Sequence, residues 1–537
     1  MVHAAQCRRN PGYHVPRPRR DFLYTTGMNR IAFLSISCVA WLAGCAVNPV
    51  TGDREFMLVS GEQEVAMGLQ NYAPMQQSQG GIYDIDPALT DYVQSVGQKL
   101  AAVSDVQLPY EFVVLNNSVP NAWALPGGKI AINRGLLTEI GSEAELAAVL
   151  GHEVVHAAAR HSAKQMSRGM LTQGLVVATT VATNDSSYRD LAAMGAGLAG
   201  QLALSSYGRS AELESDKYGM RYMSAAGYDP QGAVTLQETF VRLSEGRDQD
   251  WLSGLFASHP PSQERVKENT RRAKNLPAGG RLGVESFNAA MKKTRAAKSA
   301  YDIYDNGRKA LGEKKNDEAL ALANEALALF PEEAHFHALR GDVRLMNKQF
   351  DMAVTNYNRA IGHRDSFFYY HLQRGLARNE LGQTDGAVSD LERSVEILPT
   401  APAHYTLGQI KEQRGPLNEA IEHYKVVAKS EGEYGKAAYD ALVRLELPTQ
   451  PASYISSACG DDGSGQIVVQ ARNDTSVAVR GVQVQFQYID AAGAQRQRTQ
   501  NFSGQLAPGK VASVTTGIAP SAGTRCAAAV VAAAIVE

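Results

Sequence analysis

His152-Glu153-Val154-Val155-His156 sets two imidazoles four residues apart with a carboxylate beside the first. On a helix each residue turns about 100°, so both rings lie on one face and can reach one metal ion. Glu153 neighbours His152 and can reach a water on that metal. Zinc lowers the pKa of such a water to about 7, and the carboxylate takes its proton as the oxygen attacks a carbonyl carbon. The same carboxylate can pass the proton on to a leaving amine.

A catalytic zinc needs a third protein ligand. The metzincin pattern does not apply, because Ala159 and Ser162 stand where its Gly and His belong. His161, nine residues or about 900° on from His152, falls half a turn off the ligand face, which predicts a structural role. A Glu from a later helix is the other common solution. Within Arg209-Ser210-Ala211-Glu212-Leu213-Glu214-Ser215-Asp216, Glu212 and Asp216 are i and i+4. Glu212 can therefore bind zinc while Asp216, one turn on, holds a ligand imidazole. Glu214 points elsewhere, and a solvated face is expected for it.

These residues need a scaffold. Ser142 caps the motif helix, with Glu145 three residues on completing a capping box. Ala147-Ala148-Val149-Leu150 form its buried side. Residues 110–115 and 129–133 read as strands ahead of it, with a turn at Pro126-Gly127-Gly128. Helical periodicity marks 61–72 and 90–104. The Ala- and Gly-rich stretch 166–205 is expected to form helices over the core, since no run there reaches the roughly 18 apolar residues of a span.

From about 300 to 446 the chain repeats. Gly307, Gly341 and Gly375 lie 34 apart and Gly408 follows at 33; Ala319, Ala353, Ala387 and Ala420 keep the same spacing. Tyr357, Leu391 and Tyr424 recur in phase. This resembles an α-helical tetratricopeptide-repeat solenoid of about four repeats. In the last segment Val482, Val484, Phe486 and Tyr488 alternate with Gln, as in a half-buried strand. Ile467 to Val469 and Val511 to Val514 are further strand candidates, and a small β-sandwich is expected.

The N-terminus reads as an address. Met28-Asn29-Arg30 and the apolar stretch Ile31 to Trp41 have signal-peptide proportions. Leu42-Ala43-Gly44-Cys45 resembles a bacterial lipobox, in which Cys45 takes the lipid. Ala46 follows Cys45 with no Asp to resemble an inner-membrane retention signal. A lipid-anchored periplasmic protein on the inner leaflet of the outer membrane is therefore expected. Cys459 and Cys526 are then the pair left for a disulfide in an exported chain. The net charge of −2 comes with no basic stripe, which argues against a nucleic-acid partner.

The expected organisation is multidomain. Residues 1–27 lie upstream of the true start and 28–44 form the lipoprotein signal. A mainly α, zincin-like metallopeptidase domain with a small sheet spans 46–295, the repeats 296–446 and the β-sandwich 447–537.

The chain resembles the HtpX-like and CAAX-prenyl-endopeptidase-like family of zinc peptidases. It is most similar to the periplasmic members with C-terminal tetratricopeptide repeats. Arg209, Glu212 and Asp216 match the family's S-R-x-x-E-x-x-A-D motif, with Gly208 for Ser and Ser215 for Ala. Asn121-Ala122-Trp123-Ala124-Leu125-Pro126-Gly127-Gly128 matches its strand-and-turn segment. Asn48-Pro49-Val50-Thr51-Gly52 matches its sequence after the lipidated Cys, and Ser258-His259-Pro260 its Ser/Thr-His-Pro segment. The resemblance spans about residues 46–445 and leaves the final domain aside.

The resemblance implies one Zn2+ per chain on His152, His156 and Glu212, with Glu153 catalytic and Asp216 and Arg209 supporting them. Asn121, Ala122, Trp123 and Ala124 would lie along the substrate, and His259 would approach the zinc and restrain activity. The implied function is an endopeptidase for misfolded or stalled outer-membrane proteins that also assists their assembly. Unfolded or misassembled proteins would be the substrates, and the outer-membrane β-barrel assembly machinery would be a partner through the repeats. The other reading is a chaperone or assembly scaffold acting mainly through the repeats.

Overall fold

A computed structural model describes residues 45–168, 207–246, 259–461, 465–520 and 526–536. The expected signal and extension, most of the stretch 166–205, and Ser258 lie outside the described residues. Cys45 opens a short hairpin of β1 (Cys45–Val47) and β2 (Arg54–Phe56). Two helices follow, α1 (Gly61–Ser78) and α2 (Pro87–Ala101). Next come β3 (Glu111–Leu115), β4 (Ala122–Leu125), β5 (Lys129–Asn133), the short α3 (Arg134–Glu139) and the motif helix α4 (Glu143–Ala158).

The sheet order is β3-β5-β4, with β3 parallel and β4 antiparallel to β5, which leaves β4 on an edge. Gly127 and Gly128, both at positive φ, turn β4 into β5. Alternation sends Phe112, Val114, Ala122, Ala124, Ile130 and Ile132 to the main core with α2 and α4. Val113, Leu115, Trp123, Leu125 and Ala131 face the other way, onto Tyr72 and Met75 of α1.

Ser142 caps α4 by accepting from the Glu145 N–H at 3.1 Å, but the Glu145 carboxylate accepts from Gly141 N–H rather than closing the expected box. The following elements are α5 (Arg209–Ala225), α6 (Gln231–Gly246) and α7 (Gln263–Ala273). Helices α4 and α5 meet backbone to backbone at Gly151 and Gly219. A Cβ on Gly151 would lie 3.2 Å from the Gly219 carbonyl oxygen, and one on Gly219 would lie 3.0 Å from the His152 nitrogen. Glycine at both places lets the helix of His152 approach the helix of Glu212.

After α8 (Val284–Ala290) and α9 (Lys292–Ala296), helices pair along the chain. The pairs are α10 (Lys298–Gly312) with α11 (Asn316–Leu329), α12 (Ala334–Met346) with α13 (Phe350–His363), α14 (Phe368–Glu380) with α15 (Thr384–Ile397), and α16 (Ala401–Arg414) with α17 (Leu417–Val427). A last helix, α18 (Glu433–Glu446), closes the row. The repeated residues explain the pairing. A Cβ on Gly341 would lie 2.7 Å from the Tyr357 ring, one on Gly408 2.7 Å from Tyr424, and one on Gly375 2.9 Å from Leu391. Each glycine of a first helix admits the bulky residue of the second.

The C-terminal segment has seven strands among the described residues: β6 (Ile455–Asp461), β7 (Ile467–Asn473), β8 (Val479–Ile489), β9 (Gln495–Asn501), β10 (Gln505–Leu506), β11 (Val511–Thr515) and β12 (Ala527–Ile535). One sheet runs β10-β8-β12 with β9 also on β8, and the other runs β11-β7-β6. Both sheets feed one apolar cluster, to which α18 adds Val443. Val479, Val482, Val484, Phe486 and Tyr488 are its buried β8 residues. Cys459 of β6 and Cys526, just before β12, are disulfide-bonded and tie the two sheets together. No helix among the described residues is long and apolar enough to cross a membrane.

Candidate active site

His152 and His156 project from one face of α4 and meet Glu212 from the first turn of α5 and His259 ahead of α7. One ligand atom from each of the four lies within 4.8 Å of the other three, and all four residues are buried. His156 Nε2 is 2.9 Å from His152 Nε2 and 3.3 Å from Glu212 Oε1. His152 Nε2 is 3.5 Å from Glu212 Oε2, and His259 Nδ1 is 3.3 Å from His152 Nε2 and 3.1 Å from Glu212 Oε1. A tetrahedron with bonds of about 2.0–2.1 Å to its centre has edges of about 3.3–3.4 Å. The donor separations suit that figure. Imidazole nitrogens and a carboxylate crowded together in this way form a set of lone pairs that a cation would satisfy. The residues present therefore fit a zinc-sized metal ion.

Glu153 stands beside this group. His259 Nε2 is 3.4 Å from Glu153 Oε1, while the buried Oε2 has no hydrogen-bond partner among the described residues. Burial raises the pKa of Glu153, against the lowering pull of His259 and His152. Burial works on Glu212 in the same sense, but the imidazoles of His259 and His152 outweigh it and hold that carboxyl well below its ordinary range. For His152 burial acts downward, and the Glu212 and Asp216 carboxylates overcome it, giving about 9. His156 is pushed well down, chiefly by burial.

Asp216 lies where the i, i+4 spacing predicts, with Oδ1 3.0 Å from His152 Nδ1. That contact leaves His152 Nε2 facing the donor group. Asp216 is itself gripped by Arg265, whose Nε and Nη2 each donate at 2.7 Å. The other guanidinium nitrogen, Nη1, lies 3.0 Å from Glu212 Oε2. Arg265 is buried, and its guanidinium holds Asp216 far below the usual carboxylate range despite that burial. Arg209, expected in this role, is exposed and pairs instead with Glu264 at the surface. It opens α5 one turn before the buried face begins, so its side chain points outward. Nothing in the sequence sets Arg265 apart from Lys267, Arg271 and Arg272 on the same polar helix.

His161 stays outside the donor group as expected, though not for the angular reason given, and the expectation for Glu214 needs correcting. His161 does not continue α4: the helix ends at Ala158, and Arg160 at φ 60° turns the chain before helix resumes at 161. His161 Nδ1 thereby comes to 2.9 Å from His156 Nδ1. Glu214 is not solvated. Its Oε1 lies 3.3 Å from His161 Nε2 and accepts from Asn48 Nδ2 at 2.9 Å. Tyr207, which the sequence reading missed, stacks on the His156 ring at 3.9 Å.

Of the four β4-segment residues, Ala122 lines the cavity beside His152 and Glu153, whose other walls include Met220, Leu236 and Phe240. Ala124 faces the same core. Trp123 points to the opposite side of the sheet, edge-on to Tyr72. Asn121 is buried at the start of the strand, with Oδ1 unpartnered among the described residues.

Comparison with known proteins agrees with this geometry. The model of peptidase family M48 matches residues 87–273. The putative beta-barrel assembly-enhancing protease of Vibrio cholerae is 31% identical over 199 residues, 36% of this chain and 40% of that protein. Mitochondrial metalloendopeptidase OMA1 of Schizosaccharomyces pombe is 34% identical over 232 residues, 41% of this chain and 64% of that protein. The chain thus spans about half the length of the curated relatives it matches. Among solved structures, MamA is similar over 30% of this chain and 90% of its own, at 18% identity and a TM-score of 0.23. The matched stretch contains both motif histidines, Glu153, Glu212 and His259, and residues 87–273 of this chain are a metallopeptidase domain of family M48.

Proposed function

We propose that this chain is a zinc-dependent endopeptidase of periplasmic and outer-membrane protein quality control, degrading misfolded or stalled outer-membrane proteins and assisting their assembly. The observation that carries the reading is the buried group of His152, His156, Glu212 and His259 with Glu153 alongside. The names of the bacterial relatives point to the outer-membrane setting.

His152, His156 and Glu212 would hold one zinc. Bound there, zinc supplies Lewis acidity, bringing the pKa of a water to about 7 and polarising a carbonyl. Glu153, its charge disfavoured by burial, is placed to take a proton at Oε2 and return it to the leaving amine. Asp216 and Arg265 fix the His152 ring. An extended substrate can pair its main chain with the edge of β4, whose Ala122 lines the cavity. Elemental analysis tests the metal reading: one zinc per chain, with most of it lost in His152→Ala, His156→Ala and Glu212→Ala. Full occupancy in Glu212→Ala would remove Glu212 from the ligand set.

His259 restrains this site. Its Nδ1 stands among the other three donors, in the place that a nucleophilic water needs. His259→Ala is expected to cleave a generic unfolded protein several-fold faster; a large fall in kcat with zinc retained would instead make His259 a stabiliser of the transition state.

The organisation we infer is a peptidase unit over 46–295, tetratricopeptide repeats over 296–446 that recruit substrate or assembly machinery, and a β-sandwich over 447–537. A lipid on Cys45 holds the protein to the outer membrane from the periplasmic side. Cys45→Ser should then move the protein from the membrane fraction to the soluble periplasm, and unchanged attachment would refute the anchor.

A further inference from the structure

We infer that Asn48, Glu214 and His161 form a positioning relay that fixes the His156 ring and ties the segment just after Cys45 to the metal-holding site. The inference rests on the metal-binding role proposed for His156. If Nε2 of His156 faces the metal, its proton is on Nδ1, and Nδ1–H can donate to His161 Nδ1 at 2.9 Å. His161 then carries its own proton on Nε2 and donates to Glu214 Oε1 at 3.3 Å. The same oxygen accepts from Asn48 Nδ2 at 2.9 Å. The Asn48 amide cannot flip without loss, because its Oδ1 accepts from the N–H groups of Val50 and Thr51 at 2.9 and 3.3 Å. One assignment of protons satisfies every contact from Asn48 to His156.

The relay joins three separate parts of the chain. Asn48 is fully buried in the tight turn after β1, with its own N–H on the Asp53 carbonyl and its carbonyl on Gly52 N–H. Glu214 comes from α5, two residues from Glu212, and His161 is brought round by the turn at Arg160. Only that break lets His161 face back onto His156. Tyr207, stacked on the face of the His156 ring, restricts its tilt.

The test is zinc affinity by chelator competition on the full chain, with the melting temperature of the metal-free protein as the control for folding. Glu214→Ala and His161→Phe are expected to bind zinc about 10–100-fold more weakly at unchanged metal-free melting temperature. Adding Glu214→Ala to His161→Phe should weaken binding no further, because the link is already broken. Glu214→Gln keeps an acceptor for His161 and should recover most of the affinity. Zinc affinity in Glu214→Ala and His161→Phe within about twofold of wild type, or Glu214→Gln as weak as Glu214→Ala, would overturn the relay. If His161→Phe does not fold, the comparison of Glu214→Ala with Glu214→Gln decides alone. His152→Ala separates this from the parent reading: its loss of zinc alongside unaffected relay variants sinks the relay only, whereas zinc binding unchanged in His152→Ala sinks the metal site itself.

Discussion

Glu153→Gln is expected to keep its zinc and to lose about 10²–10⁴-fold in kcat on an unfolded outer-membrane protein. The amide keeps the size and burial of Glu153 but cannot take a proton. Glu153 is not among the four clustered donors, so metal content should not follow activity down. The pairing of the two readouts matters. Loss of activity together with loss of zinc would make Glu153 a ligand or a structural support, and retained activity would remove it from proton transfer.

Arg265→Leu is the second large effect. The guanidinium is buried and forms two 2.7 Å hydrogen bonds to Asp216 while also lying 3.0 Å from Glu212. Leucine would leave a buried carboxylate without its cation, at a cost of about 3–5 kcal/mol. The sign with pH follows from the carboxyls. Asp216 and Glu212 are held below their ordinary values in the folded protein, so their contribution is complete above about pH 4–4.5 and is lost on acidification below it. Urea unfolding of the metal-free protein at neutral pH should show the full loss. A change under about 1 kcal/mol would mean that the pair contributes little beyond its own desolvation.

The sequence revealed those parts of the site whose chemistry is local. His152, Glu153 and His156 needed only the helical angle between them, and Glu212 with Asp216 needed only i, i+4. The repeats were legible because Gly341 and Tyr357, or Gly408 and Tyr424, recur at a fixed offset and meet in space. Long-range partners were not legible. Arg265 reaches Asp216 across 49 residues, and Asn48 reaches Glu214 across 166. His161 stays outside the donor group as expected, but its contact with His156 was not legible because the angular argument assumed one continuous helix, and the positive φ at Arg160 breaks it. Arg209 shows the reverse error: it matches the motif, yet its place at the outer edge of α5 gives it to Glu264. The Ala-rich stretch Cys526 to Val536 carries no polar–apolar alternation to mark it, yet it holds a strand because β8 supplies its hydrogen bonds.

The most direct test of the account is to map new internal N-termini in a purified unfolded outer-membrane protein by mass spectrometry. The account predicts internal cuts with the zinc-loaded wild-type chain, none after chelation, their return when zinc is restored, and none with Glu153→Gln under any of these conditions. Internal cuts that persist through chelation or in Glu153→Gln, or no cuts from the zinc-loaded wild-type chain, would contradict it.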